Sequence, residues 1–62
     1  MPIVEIKLWE GRDKETKHRL IQNVSKTIAE TLEISVERIE LIIIDVPKEN
    51  WGKQGKQASE IR

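Results

Sequence analysis

The sequence contains no cysteine and a single histidine, His18. The missing cysteines exclude disulfides and thiolate metal sites, and one histidine excludes a histidine-rich metal site within one chain. A chain of 62 residues buries only about 60% of the surface that its unfolded form exposes, so its core is marginal. With disulfides and these two kinds of metal site excluded, association with further copies of the chain is the remaining way to stabilise the fold.

The sequence also lacks an excess of charge of either sign, because 11 Lys and Arg residues balance 11 Asp and Glu residues. General nucleic-acid binders and membrane-surface binders carry a basic excess, so neither kind of partner is expected. No apolar run approaches the ~20 residues of a membrane span, and the amino terminus lacks the apolar stretch of a signal peptide. We expect a cytoplasmic protein that forms one domain over residues 1–62.

Hydrophobic periodicity predicts a β-strand followed by a long helix. Between Ile3 and Trp9, Val4, Ile6 and Leu8 alternate with Glu5 and Lys7, which is the period of a strand. The two end residues fall on the face of the charged pair, so that face is only partly polar. Asp13 then has the character of a helix N-cap. Apolar residues at helical spacing predict a helix from about Lys14 to Leu32; they are Leu20, Ile21, Val24, Ile28 and Leu32.

A second strand is predicted from Ile39 to Val46, after a short turn over Ser35 to Arg38. Its central residues are apolar on both faces, which is typical of a strand covered on both sides. One helix can cover only one of those faces. The tail from Trp51 to Ala58 contains two glycines three residues apart and is expected to form a tight hairpin.

These elements predict a small α/β (α+β) protomer with β-α-β order and a right-handed crossover. Two parallel strands and one helix make a poor independent fold. The doubly apolar second strand therefore predicts an obligate homo-oligomer. In this assembly, protomers pair to extend the sheet and then stack through the uncovered face.

Pro2 is the candidate catalytic residue. Once Met1 is removed, Pro2 becomes a secondary amine at the amino terminus. An α-amino group has a reference pKa of about 7.7–8.0, and an apolar site lowers this pKa by disfavouring the charged form. Such a base can take a proton from a carbon next to a carbonyl and return it elsewhere. The alternative is that Pro2 only begins a strand.

Several motifs follow one another along nearly the whole chain: Met1-Pro2-Ile3, Glu10-Gly11-Arg12, Lys-x-x-Leu-Ile-x-x-Val-Ser from Lys17 to Ser25, Leu41-Ile42-Ile43, and Trp51-Gly52-x-x-Gly55. Their order and spacing resemble the oxalocrotonate tautomerase (2-hydroxymuconate tautomerase) family. The resemblance implies a hexamer, built as a trimer of dimers. It also implies an isomerase that needs no cofactor and tautomerises unsaturated 2-hydroxy acids such as 2-hydroxymuconate between their enol and keto forms.

The resemblance assigns roles to three side chains. Pro2 falls on the family's catalytic proline, and Arg12 falls on the arginine that holds the remote carboxylate of the substrate. Trp51 falls on an aromatic position, usually Phe, that makes the site apolar and helps to lower the pKa of the proline. Arginine grips a carboxylate through two parallel hydrogen bonds. The alternatives are a solvated loop charge for Arg12 and a subunit-interface anchor for Trp51.

One position departs from the family pattern. Glu40 stands where the family has a second arginine, which interacts with the carbonyl and carboxylate of the substrate. A carboxylate cannot perform that role. Arg38 lies two residues earlier and would project to the same face, on the order of 7 Å away, if extended structure began there. Arg38 then either replaces the missing arginine as a substrate-binding residue, pairs with Glu40, or stays solvated.

Two further interpretations remain open at this point. The first is a related activity on the same scaffold, namely phenylpyruvate tautomerisation, or hydration and dehalogenation of a haloacrylate with Glu40 or Glu10 as the acid that activates water. The second is an oligomeric interaction protein without enzymatic activity. All of the enzymatic interpretations share a small carboxylate as the substrate.

Overall fold

Two parallel strands and a connecting helix form the main part of the fold in the computed structural model, which describes residues 1–61. The elements are β1 (Ile3–Trp9), α1 (Lys14–Leu32) and β2 (Glu40–Val46). This order confirms the predicted β-α-β protomer. The bounds of β1 and α1 are as predicted, whereas β2 begins one residue later, because Val36–Arg38 forms a 3₁₀ turn that ends at Ile39.

The two ends of α1 are defined by local backbone chemistry. At the start, the Asp13 carboxylate accepts a hydrogen bond from the Thr16 amide at 2.9 Å. This bond lowers the pKa of Asp13 below its ordinary value. At the end, Glu33 adopts a left-handed conformation with φ 56° and ψ 47°.

No helix within the described residues, α1 included, is long and apolar enough to cross a membrane.

Replacing Glu33 by glycine is expected to stabilise the protein by about 0.5–1 kcal/mol, because glycine adopts the left-handed conformation without a steric penalty. Both Glu33→Gly and Glu33→Ala remove a negative charge from the carboxyl end of the helix, so the difference between them isolates the backbone effect. The measurement is urea unfolding at one fixed protomer concentration. Equal stability of the two variants would contradict this account.

α1 covers one face of the sheet. Side chains on that face alternate along both strands, and their positions pair directly in the register: Val4 with Leu41 and Ile6 with Ile43. At the carboxyl end of this face, Lys17 of α1 forms an ion pair with Asp45 of β2. Because both side chains are partly exposed, this pair contributes at most ~1 kcal/mol.

The opposite face is open at its amino end. Ile3 and Ile42 lie on this face and are 52% and 48% exposed. The predicted hairpin, β3 (Gly52–Lys53) paired with β4 (Lys56–Gln57), is present. Its two turn residues, Gln54 and Gly55, both have positive φ, as a two-residue type I′ turn requires. Trp51, just before this hairpin, lies against the carboxyl end of the open face.

The isolated protomer is less compact than a monomeric protein of its length. Its radius of gyration is 14.4 Å, whereas a compact chain of this size would have about 11 Å. Its accessible surface is 5161 Å², against about 4,100 Å² for a monomeric protein of the same mass. Among residues 1–61, Ala58 alone is a fully buried hydrophobic residue. The apolar side chains therefore lack the cover that a stable core needs.

Candidate active site

An aromatic pair marks the carboxyl end of the sheet. The ring centroids of Trp9 and Trp51 are 6.2 Å apart and the rings are nearly perpendicular, at 84°. This edge-to-face arrangement is a favourable one for two indoles. The ammonium of Lys48 lies 4.9 Å from the centroid of the Trp9 ring, within the range of a cation–π interaction. We call Trp9, Trp51 and Lys48 the tryptophan cluster.

Backbone hydrogen bonds on both sides of Trp51 determine its position. Its amide donates to the Lys48 carbonyl at 3.2 Å, and its carbonyl accepts from the Ala58 amide at 2.7 Å. The hairpin between Trp51 and Ala58 returns the chain to this point. The side chain of Gln57 adds a hydrogen bond to the Glu49 carbonyl at 3.0 Å. The carboxy-terminal hairpin therefore holds Trp51 against Trp9.

Arg12 reaches the same end of the sheet through a glycine turn. Gly11 has φ 122°, a conformation that side chains disfavour, so glycine permits the sharp change of direction after β1. A guanidinium nitrogen of Arg12 donates to the Trp9 carbonyl at 3.4 Å. In the described part of the chain the one ion pair is Lys17–Asp45. The guanidinium of Arg12 therefore has no carboxylate partner there and can bind an anion.

A groove of about 290 Å³ lies beside the tryptophan cluster. Its wall is partly aromatic and partly cationic, and it is lined by Lys7, Val46, Asn50, Trp51 and Gly52. Arg12 and Lys48 do not line the groove, but both contact Trp9, which packs against the lining residue Trp51. Three cations around two indoles suit a small unsaturated molecule that carries a carboxylate.

Pro2 lies at the other end of the sheet. Its carbonyl accepts a hydrogen bond from the Glu40 amide at 3.1 Å, and the next residue, Ile3, lies directly opposite Glu40 in the register. Pro2 is half-buried, whereas Met1 is 75% exposed. The candidate base and Glu40 are thus neighbours at the amino end of the two strands.

Arg38 was expected to share the face of Glu40 only if extended structure began at Arg38, and it does not begin there. It belongs to the 3₁₀ turn Val36–Arg38, and extended structure begins only at Glu40. No ion pair joins the two side chains in residues 1–61, where Lys17–Asp45 is the one pair present. Arg38 is exposed. Its role in binding substrate stays a prediction.

The structure places the predicted site residues in two groups. Arg12 and Trp51 both contact Trp9, at the carboxyl end of β1. Pro2 precedes the amino end of the same strand, and seven steps of about 3.3 Å separate it from Trp9, or about 23 Å. One protomer therefore does not bring Pro2 to Arg12 and Trp51.

Two residues of the tryptophan cluster were missed at the level of sequence. Trp9 offered one signal, because an aromatic residue stood on the face of β1 that also carries Glu5 and Lys7. Its indole nitrogen is buried and has no hydrogen-bond acceptor among the described residues, which is costly unless another molecule supplies one. Lys48 offered no signal, since its contact with Trp9 arises only from the folding of the tail.

A second groove, of about 470 Å³, lies on the outer side of α1. Its lining combines the small or apolar residues Ile21, Ser25, Ala29 and Val36 with the polar residues His18, Gln22, Lys26 and Glu30. Small and apolar side chains in this arrangement suit the close approach of another helix. Residues 1–61 contain no group of three or more His, Cys, Asp or Glu side chains that could hold a metal ion.

Comparisons with known proteins agree on one family. The sequence profile described as "Tautomerase enzyme" matches residues 2–60. The chain is 39% identical over 62 residues to the 2-hydroxymuconate tautomerase of Pseudomonas sp. (strain CF600), with 100% of this chain and 98% of that protein covered.

Two solved structures extend the likeness to the fold. A 4-oxalocrotonate tautomerase isozyme from Methylibium petroleiphilum has a TM-score of 0.89 and 40% identity, and 94% of each chain is covered. The heterohexamer 4-oxalocrotonate tautomerase from Chloroflexus aurantiacus J-10-fl has a TM-score of 0.93 and 31% identity, with 100% of each chain covered.

Proposed function

The chain belongs to the tautomerase family, and we propose that it interconverts the enol and keto forms of an unsaturated 2-hydroxy or 2-oxo carboxylate, with Pro2 as the general base after removal of Met1. The observation that carries this proposal is the cationic and aromatic groove at the carboxyl end of the sheet. It offers a carboxylate anchor and an apolar wall, and no metal is needed for the reaction.

The reaction requires only the movement of one proton. The Pro2 nitrogen takes the proton of the substrate's 2-hydroxyl group, and the oxygen becomes a carbonyl as the double bond shifts. The same nitrogen then returns the proton to a carbon of the shifted system, so no atom is gained or lost. Arg12 holds the carboxylate, and the indole of Trp51 limits water near the amine, which favours its neutral, basic form.

A complete site needs at least two copies of the chain. Protomers that pair edge to edge about a twofold axis run antiparallel, so the amino end of one sheet adjoins the carboxyl end of the next. That arrangement brings Pro2 of one copy towards Arg12 and Trp51 of a second copy and removes the 23 Å separation, about seven strand residues. A second copy can also supply the acceptor that the buried Trp9 nitrogen lacks.

The proposed assembly is a homohexamer formed as a trimer of dimers. The open face of the sheet, with Ile3 and Ile42 about half exposed, provides the surface for stacking dimers. The groove beside Ser25 and Ala29 provides a surface for a neighbouring helix. The Chloroflexus aurantiacus relative is described as a heterohexamer, which supports a hexamer over a dimer.

The proposal is tested by intact mass and enzyme kinetics on one preparation. We expect the mass of a chain without Met1, and isomerisation of phenylenolpyruvate, 2-hydroxymuconate or both, followed by ultraviolet absorbance. The control is the same chain with an uncleaved amino-terminal tag, in which the Pro2 nitrogen is an amide without a basic lone pair. Equal activity of the tagged chain, or an assembled and processed chain without activity, would refute the proposal.

A further inference from the structure

Glu40 places a negative charge beside the proposed base. Its amide donates to the Pro2 carbonyl at 3.1 Å, and its position in β2 is directly opposite Ile3 in β1. Paired strands lie about 4.8 Å apart, so the Glu40 carboxylate starts from a backbone in contact with the Pro2–Ile3 segment. Glu40 is exposed, and its side chain can reach the space that a substrate at Pro2 must enter.

No cation neutralises Glu40 in the described residues, where the one ion pair is Lys17–Asp45. Glu5 lies on the same face of the sheet as Ile3 but two residues further along β1, opposite Ile42. Arg38 is exposed in the preceding turn and forms no ion pair with Glu40. The Met1 ammonium is lost with processing. Beside the Pro2 amine, the amino end of the sheet therefore carries the negative charge of Glu40, which no cation pairs within residues 1–61.

The carboxyl end of the sheet has the opposite character. Lys7 lines the groove there, and Arg12 and Lys48 contact Trp9 without a carboxylate partner among residues 1–61. A substrate that lies between Pro2 of one copy and Arg12 of another therefore meets cations at one end and Glu40 at the other. Charges that lie within the Debye length, about 8 Å at physiological ionic strength, are only partly screened from one another.

We propose that Glu40 selects substrates with a single carboxylate and a neutral, apolar remainder, and that it rejects dicarboxylates. The inference rests on the proposed function. The lone carboxylate binds Arg12 beside the tryptophan cluster, and the uncharged part of the substrate extends towards Pro2. A second carboxylate at the Pro2 end of the substrate is repelled by Glu40. This repulsion weakens binding in the ground state and in the transition state alike.

The test compares phenylenolpyruvate, with one carboxylate, and 2-hydroxymuconate, with two, in the unchanged chain and in Glu40→Gln. We expect the substitution to raise kcat/KM for the dicarboxylate at least tenfold and to change that for the monocarboxylate less than threefold. Glu5→Gln is the matched control, because it removes the same charge from the same face. In this variant the ratio of kcat/KM for the dicarboxylate to kcat/KM for the monocarboxylate should stay within threefold of the ratio in the unchanged chain. An unchanged ratio in Glu40→Gln would overturn the inference.

A binding experiment separates this inference from the proposed function. Cinnamate and muconate carry one and two carboxylates but no 2-hydroxyl group, so they bind without reacting. By calorimetry, Glu40→Gln should tighten muconate at least tenfold and leave cinnamate within threefold. An inactive chain with this pattern contradicts the proposed function and supports charge selection by Glu40. An active chain whose affinities do not change in Glu40→Gln supports the proposed function and overturns charge selection by Glu40.

Discussion

Replacing Pro2 by alanine is expected to lower kcat/KM for tautomerisation by about 10²-fold or more, within the range that a positioned general base contributes. Alanine also permits removal of Met1, so the variant still carries an amine. That amine is primary and stands on a freely rotating backbone, whereas the proline ring holds its nitrogen in one orientation at the start of β1. The measurement is steady-state kinetics on processed protein of verified mass.

The control for Pro2 is Ile3→Val, because Ile3 is the next residue and is about half exposed, but contributes no basic group. This variant should retain activity within threefold at unchanged oligomeric state. The pH dependence provides a second readout. In the unchanged chain kcat/KM should rise as the Pro2 amine loses its proton, and Pro2→Ala should move that transition. Full activity in Pro2→Ala would show that Pro2 is not the general base.

Replacing Arg12 by alanine is expected to lower kcat/KM by about 10- to 100-fold, which corresponds to the loss of a charge-assisted hydrogen-bonded contact of about 1.5–3 kcal/mol. The loss should appear mainly as a higher KM, because a carboxylate that stays out of the reaction is bound equally in the ground and transition states. Arg12→Lys should be intermediate, since lysine keeps the charge but not the two parallel hydrogen bonds.

Arg19→Ala is the matched control for Arg12, because Arg19 is an exposed arginine on α1, away from the tryptophan cluster. It should change KM less than twofold. Thermal unfolding of both variants separates binding from structure, since Arg12 also donates to the Trp9 carbonyl at 3.4 Å. A lower melting temperature with unchanged KM would identify Arg12 as a structural loop residue and not as the carboxylate anchor.

The parts of the fold that depend on local periodicity could be predicted from the sequence. The alternation in β1 and the helical spacing in α1 gave the observed bounds, and Asp13 caps the helix as expected. The glycine spacing predicted the hairpin. The left-handed conformation of Gln54 in its turn had no such signal, because glutamine has no preference for it; the strand pairing around it imposes it.

The parts of the candidate site that depend on contacts between distant segments could not be predicted. The contact of Trp51 with Trp9 exists because the tail folds back on the open face of the sheet. Lys48 enters the site by the same route. The separation of Pro2 from Arg12 follows from the length of β1, so the distance was available from the sequence. The need for a second copy became evident only when both residues were placed on one strand.

The edge-to-face contact of Trp9 and Trp51 also has an optical consequence. The chain contains two tryptophans, no tyrosine and no phenylalanine, so its aromatic absorption and emission come entirely from this pair. With centroids 6.2 Å apart, the two indole transitions couple and should produce a paired signal in near-ultraviolet circular dichroism. Spectroscopy of the unlabelled protein therefore observes one end of the sheet without background, and arrival of a carboxylate there can be followed in real time.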